Sequence, residues 1–388
     1  MEAKAFSHTM TADIIIIGGG LAGLTAGIHL ARRGFSVVLF EKNKYPCHKV
    51  CGEFISNEIL PYLNWLGADP YPLHPATITK AQFTLVSGKT IETVLPLGGF
   101  GISRYALDNF LMEKAKHSGV EIVQDSVTDI RFENHAFFVQ TQNNGTFQSK
   151  ITLAAFGKRS LLDIKLNRGF IKKKSSWLAV KAHYQGEFPD DLVSLHHFKG
   201  GYCGISKVEN NFLNVCYLAD YESFKKHKNL KTYQEKVLFQ NPHLKRHLRN
   251  FTSTFGDPLT ISQISFEQKE KVRDHILMLG DAAGLIHPLC GNGMAMAIHS
   301  AKTAAELVTG YFLSTIPSRK MLEEKYRQEW QAQFNGRLKT GRMLSSLLSN
   351  EKGADILFNS LLKMPFLLRK VIQKTHGKLI TIDDKYKG

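Results

Sequence analysis

Cys47, His48, Cys51 and Glu53 fall within seven residues of one another in the stretch YPCHKVCGEFIS. Two thiols, an imidazole and a carboxylate at this density could hold a metal, form a redox dithiol, or place a thiol and an acid on a cavity wall. A zinc site ordinarily adds a second ligand pair at a suitable distance, and none stands out. A redox dithiol ordinarily reads C-x-x-C, whereas three residues separate Cys47 from Cys51. A plain buried cysteine without chemistry also stays open for Cys51. Glu53 reads as an acid in a cavity or as a solvated loop charge.

The segment just upstream narrows the choice. In ADIIIIGGGLAGLTAGIHLARRGFSVVLFEK, Ile14 to Ile17 is a short apolar run suited to a strand buried on both faces. Gly18, Gly20 and Gly23 follow as G-x-G-x-x-G. Leu21 to Arg33 reads as a helix with Gly34 at its C-terminal cap, and Phe35 to Phe40 as a second strand that ends at Glu41. Glycines at these positions permit a tight turn, close approach to a pyrophosphate and close helix–strand packing. The helix N-terminus adds free N–H groups and a positive dipole. An acid about twenty residues after the glycines suits a ribose with a free 2′-hydroxyl. The candidate dinucleotide-binding residues here are Gly18, Gly20, Leu21, Ala22, Gly23, Glu41 and Lys42, and FAD or NAD is favoured over NADP.

A second motif, DHILMLGDAAGLIHPLCGNGMAMAIHSA, has a strand at Ile276 to Leu279, then Gly280 and Asp281, then Gly291 and Gly293 ahead of a helix from about Met294. With the first motif it resembles the flavoprotein family that includes aromatic hydroxylases and geranylgeranyl reductases. The resemblance covers roughly residues 12 to 310 and implies FAD as the cofactor. It implies that Asp281 bonds the ribityl chain, and that Gly291, Gly293 and Met294 bring a helix N-terminus to the flavin ring. In GISRYALDNFLMEKAKHSGVEI, Arg104, Asp108, Leu111, Ala115 and Gly119 resemble the family's helix whose arginine contacts FAD. KVCGE resembles the geranylgeranyl-reductase-like branch through Lys49, Cys51 and Gly52. That implies a flavin-edge loop, with Lys49 pairing with FAD phosphate or substrate and Cys51 at the substrate cavity. Cys51 and Glu53 are the candidate catalytic residues, and no metal is expected. Cys290, in PLCGNG, lies near the flavin by motif position, although simple packing is its plainer role.

Two departures qualify the likeness. Many hydroxylases carry Asp-Gly at the end of the strand near residue 155, but here Phe156 precedes Gly157, with Arg159 and Ser160 echoing the rest. This weakens any carry-over of NAD(P)H handling. GGYCGISK keeps its glycines and Tyr202 but has no Trp and no Pro, which argues against halogenase chemistry and does not license prenyl specificity. No Ser-His-Asp set, H-E-x-x-H or P-loop is found.

The surrounding elements must position these groups. AQFTLVSGKTIETVLPL reads as two strands joined at Ser87-Gly88, and 176–188, 192–198, 202–208 and 212–218 read as further strands. His196 and His197 would face opposite ways on theirs. Residues 320 to 388 read as amphipathic helices, and the second, ADILFNSLLKMPFLLRKVIQKTHG at 354–377, would lie on a membrane surface, cap the substrate channel or pack on the FAD lobe. The expected fold is α/β, with a Rossmann-like FAD lobe, an inserted antiparallel substrate sheet and a helical C-terminal region. The FAD lobe is expected at 1–75, 101–160 and 266–318, the substrate lobe at 76–100 and 161–265, and the C-terminal helices at 319–388.

The chain has 388 residues, 43% of them hydrophobic and 22% charged, and five cysteines. That describes an ordinary soluble protein in a reducing, cytoplasmic setting, with no signal peptide and no apolar run near the roughly 20 residues of a membrane span. Fifty Lys and Arg against 34 Asp and Glu leave a charge of +16. Clusters at 172–174, at 243–249 and in the last 70 residues carry much of it. They lack interleaved aromatics and a recognisable module, so nucleic acid is not an expected partner. An anionic membrane face or an acidic carrier protein uses that charge better. The reading is an FAD-dependent oxidoreductase acting on an apolar organic substrate, first as a C=C reductase. The alternative is a flavin monooxygenase hydroxylating an aromatic or polyketide-like substrate with NAD(P)H and O2. Electrons come from NAD(P)H or a separate donor.

Overall fold

The computed structural model describes residues 10–227, 229–348, 353, 358–361 and 365–382. The apolar run at the N-terminus becomes the strand Met10–Ile17, in which Ile14 to Ile16 are fully buried. Such a strand needs neighbours on both edges and cover on both faces. It lies parallel to Val37–Phe40 on one side and Thr146–Ala154 on the other. Glu121–Val123 and Ile276–Met278 extend this sheet, again in parallel. The antiparallel strands Val127–Glu133 and Ala136–Thr141 are attached through Thr146–Ala154, and Val272–Arg273 closes the far edge.

Helix α1, Leu21–Arg32, is buried from Leu21 through Leu30, because it is sandwiched between this sheet and two more helices. These are α2, Arg104–His117, and α3, Gly293–Phe312. Gly34, at φ +83, ends α1 as expected. Ser103 caps α2 by accepting the Ala106 N–H at 3.0 Å.

The second sheet runs in the order Thr252–Ser253, Trp177–Gln185, Leu213–Asp220, Gly201–Lys207, Leu192–Phe198, Ala76–Thr84, Thr90–Gly101, Phe54–Ser56, with Leu259–Ser262 also paired to Trp177–Gln185. The expected strands are present. The sheet is not purely antiparallel, because Leu192–Phe198 runs parallel to Ala76–Thr84. The chain passes through the first sheet between those two strands, so no tight turn forces them to oppose. Phe54–Ser56, from the stretch 1–75, pairs with Thr90–Gly101 in this second sheet.

Helix α4, Arg319–Leu348, packs along α3 through Tyr326, Trp330 and Phe334. Helix α5, Pro365–Thr375, lies against both α4 and Thr90–Gly101. Phe358, Leu361, Leu368 and Ile372 form one apolar cluster with Phe54, Ile78 and Leu95. Of the placements expected for the second amphipathic stretch, capping the cavity describes its described part in α5, whose Leu368, Val371 and Ile372 line the cavity. Part of the second amphipathic stretch, 354–357 and 362–364, lies outside the described residues. No described helix is long and apolar enough to cross a membrane.

The join between α1 and the first strand has no slack. A Cβ on Gly23 would sit on the Gly18 carbonyl oxygen, and the Ala155 side chain would be 3.3 Å away. Gly23→Ala is expected to lower unfolding free energy by about 1–3 kcal/mol, as overpacked sites do, measured by urea denaturation. An unchanged midpoint would mean that α1 can slide away at no cost.

Candidate functional site

The first strand ends at Ile17, and Gly18 turns the chain at φ +108, where a side chain would strike the Ala155 carbonyl. Gly20 is the N-cap of α1. No described side chain caps this end and no acid lies in its first turn, so the leading N–H groups around Leu21 and Ala22 are unclaimed. Arg104 reaches this turn, its guanidinium 3.4 Å from where a Gly20 Cβ would be. Asp108, fully buried one turn along α2, holds Arg104 Nε at 2.6 Å and Nη2 at 2.7 Å. Lys49 donates to the same carboxylate at 2.9 Å. Lys49 thus anchors the 45–53 loop to α2, where the sequence had placed it against phosphate or substrate.

Glu41 stands at the end of Val37–Phe40 as expected, but its oxygens are engaged. One accepts the Gly19 N–H at 2.8 Å, and the other accepts from the Asn43 backbone and side chain at 2.9 and 2.8 Å. Lys42 points into solvent.

The second motif opens on the same cavity. Gly280 and Gly291 both adopt left-handed φ, +54 and +62, which re-aim the chain on either side of residues 281–290. The Asp281 carboxylate makes no hydrogen bond with any described residue and lies on the cavity wall. Helix α3 begins at Gly293 and Met294 without a side-chain cap or an acid in its first turn. Its N-cap residue, Asn292, is used elsewhere. Its amide donates to Glu58 Oε2 at 3.3 Å, and its oxygen accepts Arg337 Nη1 at 3.0 Å. Arg337 also reaches Glu58 Oε1 at 2.9 Å, and the Gly377 N–H donates to the same carboxylate. The C-terminal segment is thereby tied to the start of α3.

Between these features lies a cavity of about 290 Å³. The 50–54 loop and the ends of α1 and α3 line one side. Phe83, Leu95, Leu195 and Leu218 of the second sheet line another, and Leu344, Phe358 and Leu368 close it. Cys51 is half-buried on this wall with a free thiol, and its carbonyl accepts Asn214 Nδ2 at 3.2 Å. Burial pushes the cavity thiols Cys216 and Cys290 up to about 12, so both stay protonated.

Glu53 is neither a free cavity acid nor a solvated charge. It is fully buried at φ +52. It accepts Lys181 Nζ at 2.5 Å, His183 Nε2 at 2.7 Å and the Arg104 N–H at 2.7 Å. Burial pushes its pKa up, but the His183 hydrogen bond and the Lys181 charge outweigh that and hold it below the ordinary range. It stays ionised and engaged, which removes it as a proton donor.

His196 is locked between Thr84 and Ser194, each at 2.8 Å, and neither it nor His197 lines the cavity. Among the described residues no group of three or more His, Cys, Asp and Glu is arranged to hold a metal. Cys47 and Cys51 carry free thiols.

Several residues had no local signal in the sequence. Lys158 Nζ donates to the Val50 carbonyl at 3.0 Å. Lys269 Nζ donates to the carbonyls of Lys158 and Asp281 at 2.9 and 2.8 Å. Arg168 and Lys271 donate to the carbonyls of Ala282 and Ala283, both at 2.8 Å.

The donor set suits FAD. Two uncapped helix N-termini converge on one cavity, and an unengaged carboxylate stands between them. A Cβ on Gly52 would meet no protein atom within 4 Å, so the protein's own packing does not require glycine there.

Comparison with known proteins agrees. A family model described as FAD dependent oxidoreductase matches residues 13–62. Digeranylgeranylglycerophospholipid reductase 1 of Methanosphaera stadtmanae is 24% identical over 341 residues, spanning 83% of this chain and 81% of that protein. The 1H-pyrrole-2-carbonyl-[peptidyl-carrier protein] brominase of Pseudoalteromonas luteoviolacea is 24% identical over 325 residues, spanning 76% and 77%. The structure of the flavin-dependent brominase Bmp2 superposes with a TM-score of 0.78 at 21% identity, covering 94% of this chain and 93% of that one. This chain is a flavin-dependent oxidoreductase related to these halogenase-like and geranylgeranyl-reductase-like flavoproteins.

In this flavoprotein the buried charges set measurable costs. Glu53→Ala leaves Lys181 buried without its carboxylate, and the expected loss is about 3–5 kcal/mol of stability, read by chemical denaturation. A loss under about 1 kcal/mol would mean that water reaches Lys181 freely.

Lys271 has a pH signature. Burial first, then Arg168 and Lys269, lower its pKa from the ordinary 10.5 to about 7, with Glu270 opposing and Arg342 adding. Between those values the unfolded chain binds the extra proton, so this residue makes stability rise from about pH 7 towards 10.5. Lys271→Met should flatten that part of the stability-against-pH curve, and an unaltered slope would contradict the shift.

Proposed function

We propose that the protein uses FAD and O2 to oxidise an apolar, aromatic substrate, by hydroxylation in the first instance. The observation that carries this reading is the apolar cavity continuous with both uncapped helix N-termini. A flavin ring held there would face a pocket of aliphatic and aromatic walls, closed by Leu344, Phe358 and Leu368. The relatives in the brominase branch support an oxygen-dependent reaction ahead of the reduction favoured from KVCGE alone.

When bound, FAD supplies two-electron transfer and, once reduced, reactivity towards O2. The chain supplies binding, orientation and exclusion of water. The turn at Gly18, Gly20 and Gly23, with Leu21 and Ala22 opening α1, would hold the pyrophosphate, assisted by Arg104 on its Asp108 anchor. Glu41 would take the ribose by exchanging its bond to Gly19. Asp281 would accept from the ribityl hydroxyls. Gly291, Gly293 and Met294 would present the N-terminus of α3 to the ring, where its positive end favours the anionic reduced form. Glu53 acts through Lys181, His183 and the Arg104 N–H, keeping the 50–54 loop in place. The substrate reaches the site free or on a carrier protein. Electrons come from NAD(P)H or a separate donor, and Phe156 in place of the hydroxylases' Asp favours the latter.

C=C reduction is the second reading, favoured by the free thiol of Cys51 on the cavity wall and by the reductase among the relatives. The two are separated by reducing the flavin anaerobically, with NADH, NADPH or light, then adding a panel of apolar aromatics and alkenes with or without isotopically labelled O2. The expected result is reoxidation and label in the product only with O2. Stoichiometric anaerobic reoxidation by an alkene, with no oxygen incorporated, would overturn hydroxylation in favour of reduction.

A further inference from the structure

Three consecutive backbone carbonyls, at Asp281, Ala282 and Ala283, each accept from a different basic side chain: the buried Lys269 and Arg168 and the half-buried Lys271. Arg168 has carboxylate partners, Asp163 at 2.8 Å and Glu270 at 3.2 Å. Neither lysine forms an ion pair with a described residue. Their other contacts are aromatic faces, Phe170 at 4.4 Å from Lys269 and Trp330 at 3.8 Å from Lys271, and further carbonyls. Burying an ammonium is expensive, and an apolar side chain of the same length would fill the space at less cost. The lysines therefore have a use that packing does not explain.

The bonds form a chain. Lys269 joins the Asp281 carbonyl to the Lys158 carbonyl, and the Lys158 ammonium goes on to Val50. Residues 50–54, 157–158 and 280–281 all line the cavity, and they come from three remote parts of the sequence. Residues 157–158 and 280–281 follow the paired strands Thr146–Ala154 and Ile276–Met278, and the side chain–carbonyl hydrogen bonds add a tie between those two loops and join the 50–54 loop to them.

We propose that Lys158 and Lys269 are positioning residues that tie these loops together, and that Lys269 also contributes the positive charge beneath the Asp281 turn that favours reduction of the flavin. The inference rests on the FAD reading above. It goes beyond it by assigning the geometry of the site, and part of its electrostatics, to two lysines outside both glycine motifs.

The test uses the full chain with Lys269→Met, Lys158→Met and, as a surface control, Lys173→Met, whose exposed ammonium pairs with Glu267 at 2.8 Å. Three quantities are read: the FAD dissociation constant by fluorescence, the midpoint potential of the bound flavin, and backbone amide exchange without FAD. Lys269→Met is expected to weaken FAD binding about tenfold, the scale of one charged hydrogen bond, and to move the potential to more negative values. Exchange should speed up at 280–284 in Lys269→Met and at 50–53 in Lys158→Met, with the control unchanged. Unaltered affinity and exchange in both variants would overturn the proposal. An unaltered potential with weakened binding would overturn its electrostatic part. If the wild-type chain takes up no FAD the flavin reading fails, while loop exchange still decides whether the lysines tie the loops. Should Lys269→Met not fold, the half-buried Lys158→Met and the conservative Lys269→Arg carry the same comparison.

Discussion

A carboxylate taken out of water must find cations or hydrogen-bond donors, and three such carboxylates decide how the cavity is assembled. Asp108, Glu58 and Glu53 are each fully buried. Asp108 draws Arg104 and Lys49 together, which places a guanidinium beside the glycine turn. Glu58 gathers Arg337, Asn292 and the Gly377 N–H, joining α4 and the C-terminal segment to the first turn of α3. Glu53 takes Lys181 and His183 from the second sheet and the Arg104 N–H from α2. Surface ion pairs contribute little, about 0–1 kcal/mol each, whereas breaking a buried pair costs several times more. The walls of the cavity are therefore held by a few expensive contacts rather than by many cheap ones.

This arrangement also fixes the electrostatics inside. Three of the acids near the site are engaged by cations, and Glu41 is engaged by the turn itself, so Asp281 alone among these five presents an unengaged carboxylate to the cavity. The positive ends of α1 and α3 point inward, and Lys269 stands behind the Asp281 turn. The field in the cavity favours negative charge on whatever is bound there, as a pyrophosphate and a reduced flavin both require. The thiols do not disturb it, because burial keeps Cys216 and Cys290 protonated.

What could be read from the sequence was local. The strand–glycine–helix unit is written in adjacent residues, because Gly18 and Gly23 meet within one turn and one strand end. Leu192–Phe198 was bounded by its own composition. The buried pairs were not legible, because Glu53 and Lys181 lie 128 positions apart, and Glu58 and Arg337 lie 279 apart. Nothing near either partner signals the other. The parallel pairing inside the second sheet was hidden for the same reason, since alternation of side chains gives a strand's faces but not the direction of its neighbour. Lys49 and Glu53 lie in the expected loop, paired with Asp108 and Lys181, partners that nothing in the local sequence names. Their types suit a ligand and a proton, and only the fold reveals that Asp108 and Lys181 reach them first.

The stretch YPCHKVCGEFIS divides its work by residue. Lys49 and Glu53 are the two anchors, one on α2 and one on the second sheet, and they hold the residues between them against the cavity. Cys51 faces that cavity, and its carbonyl is pinned by Asn214. Gly52 is exposed, and a Cβ there would meet open space. A loop anchored at both ends is rigid, so its exposed glycine is not there to make it mobile. The left-handed backbone lies one residue further on, at Glu53, which is not a glycine and relies on three hydrogen bonds to stay there. Glycine at 52 therefore leaves the cavity wall without a side chain at this point, and Glu53 bears the conformational cost that brings the Gly52 backbone there.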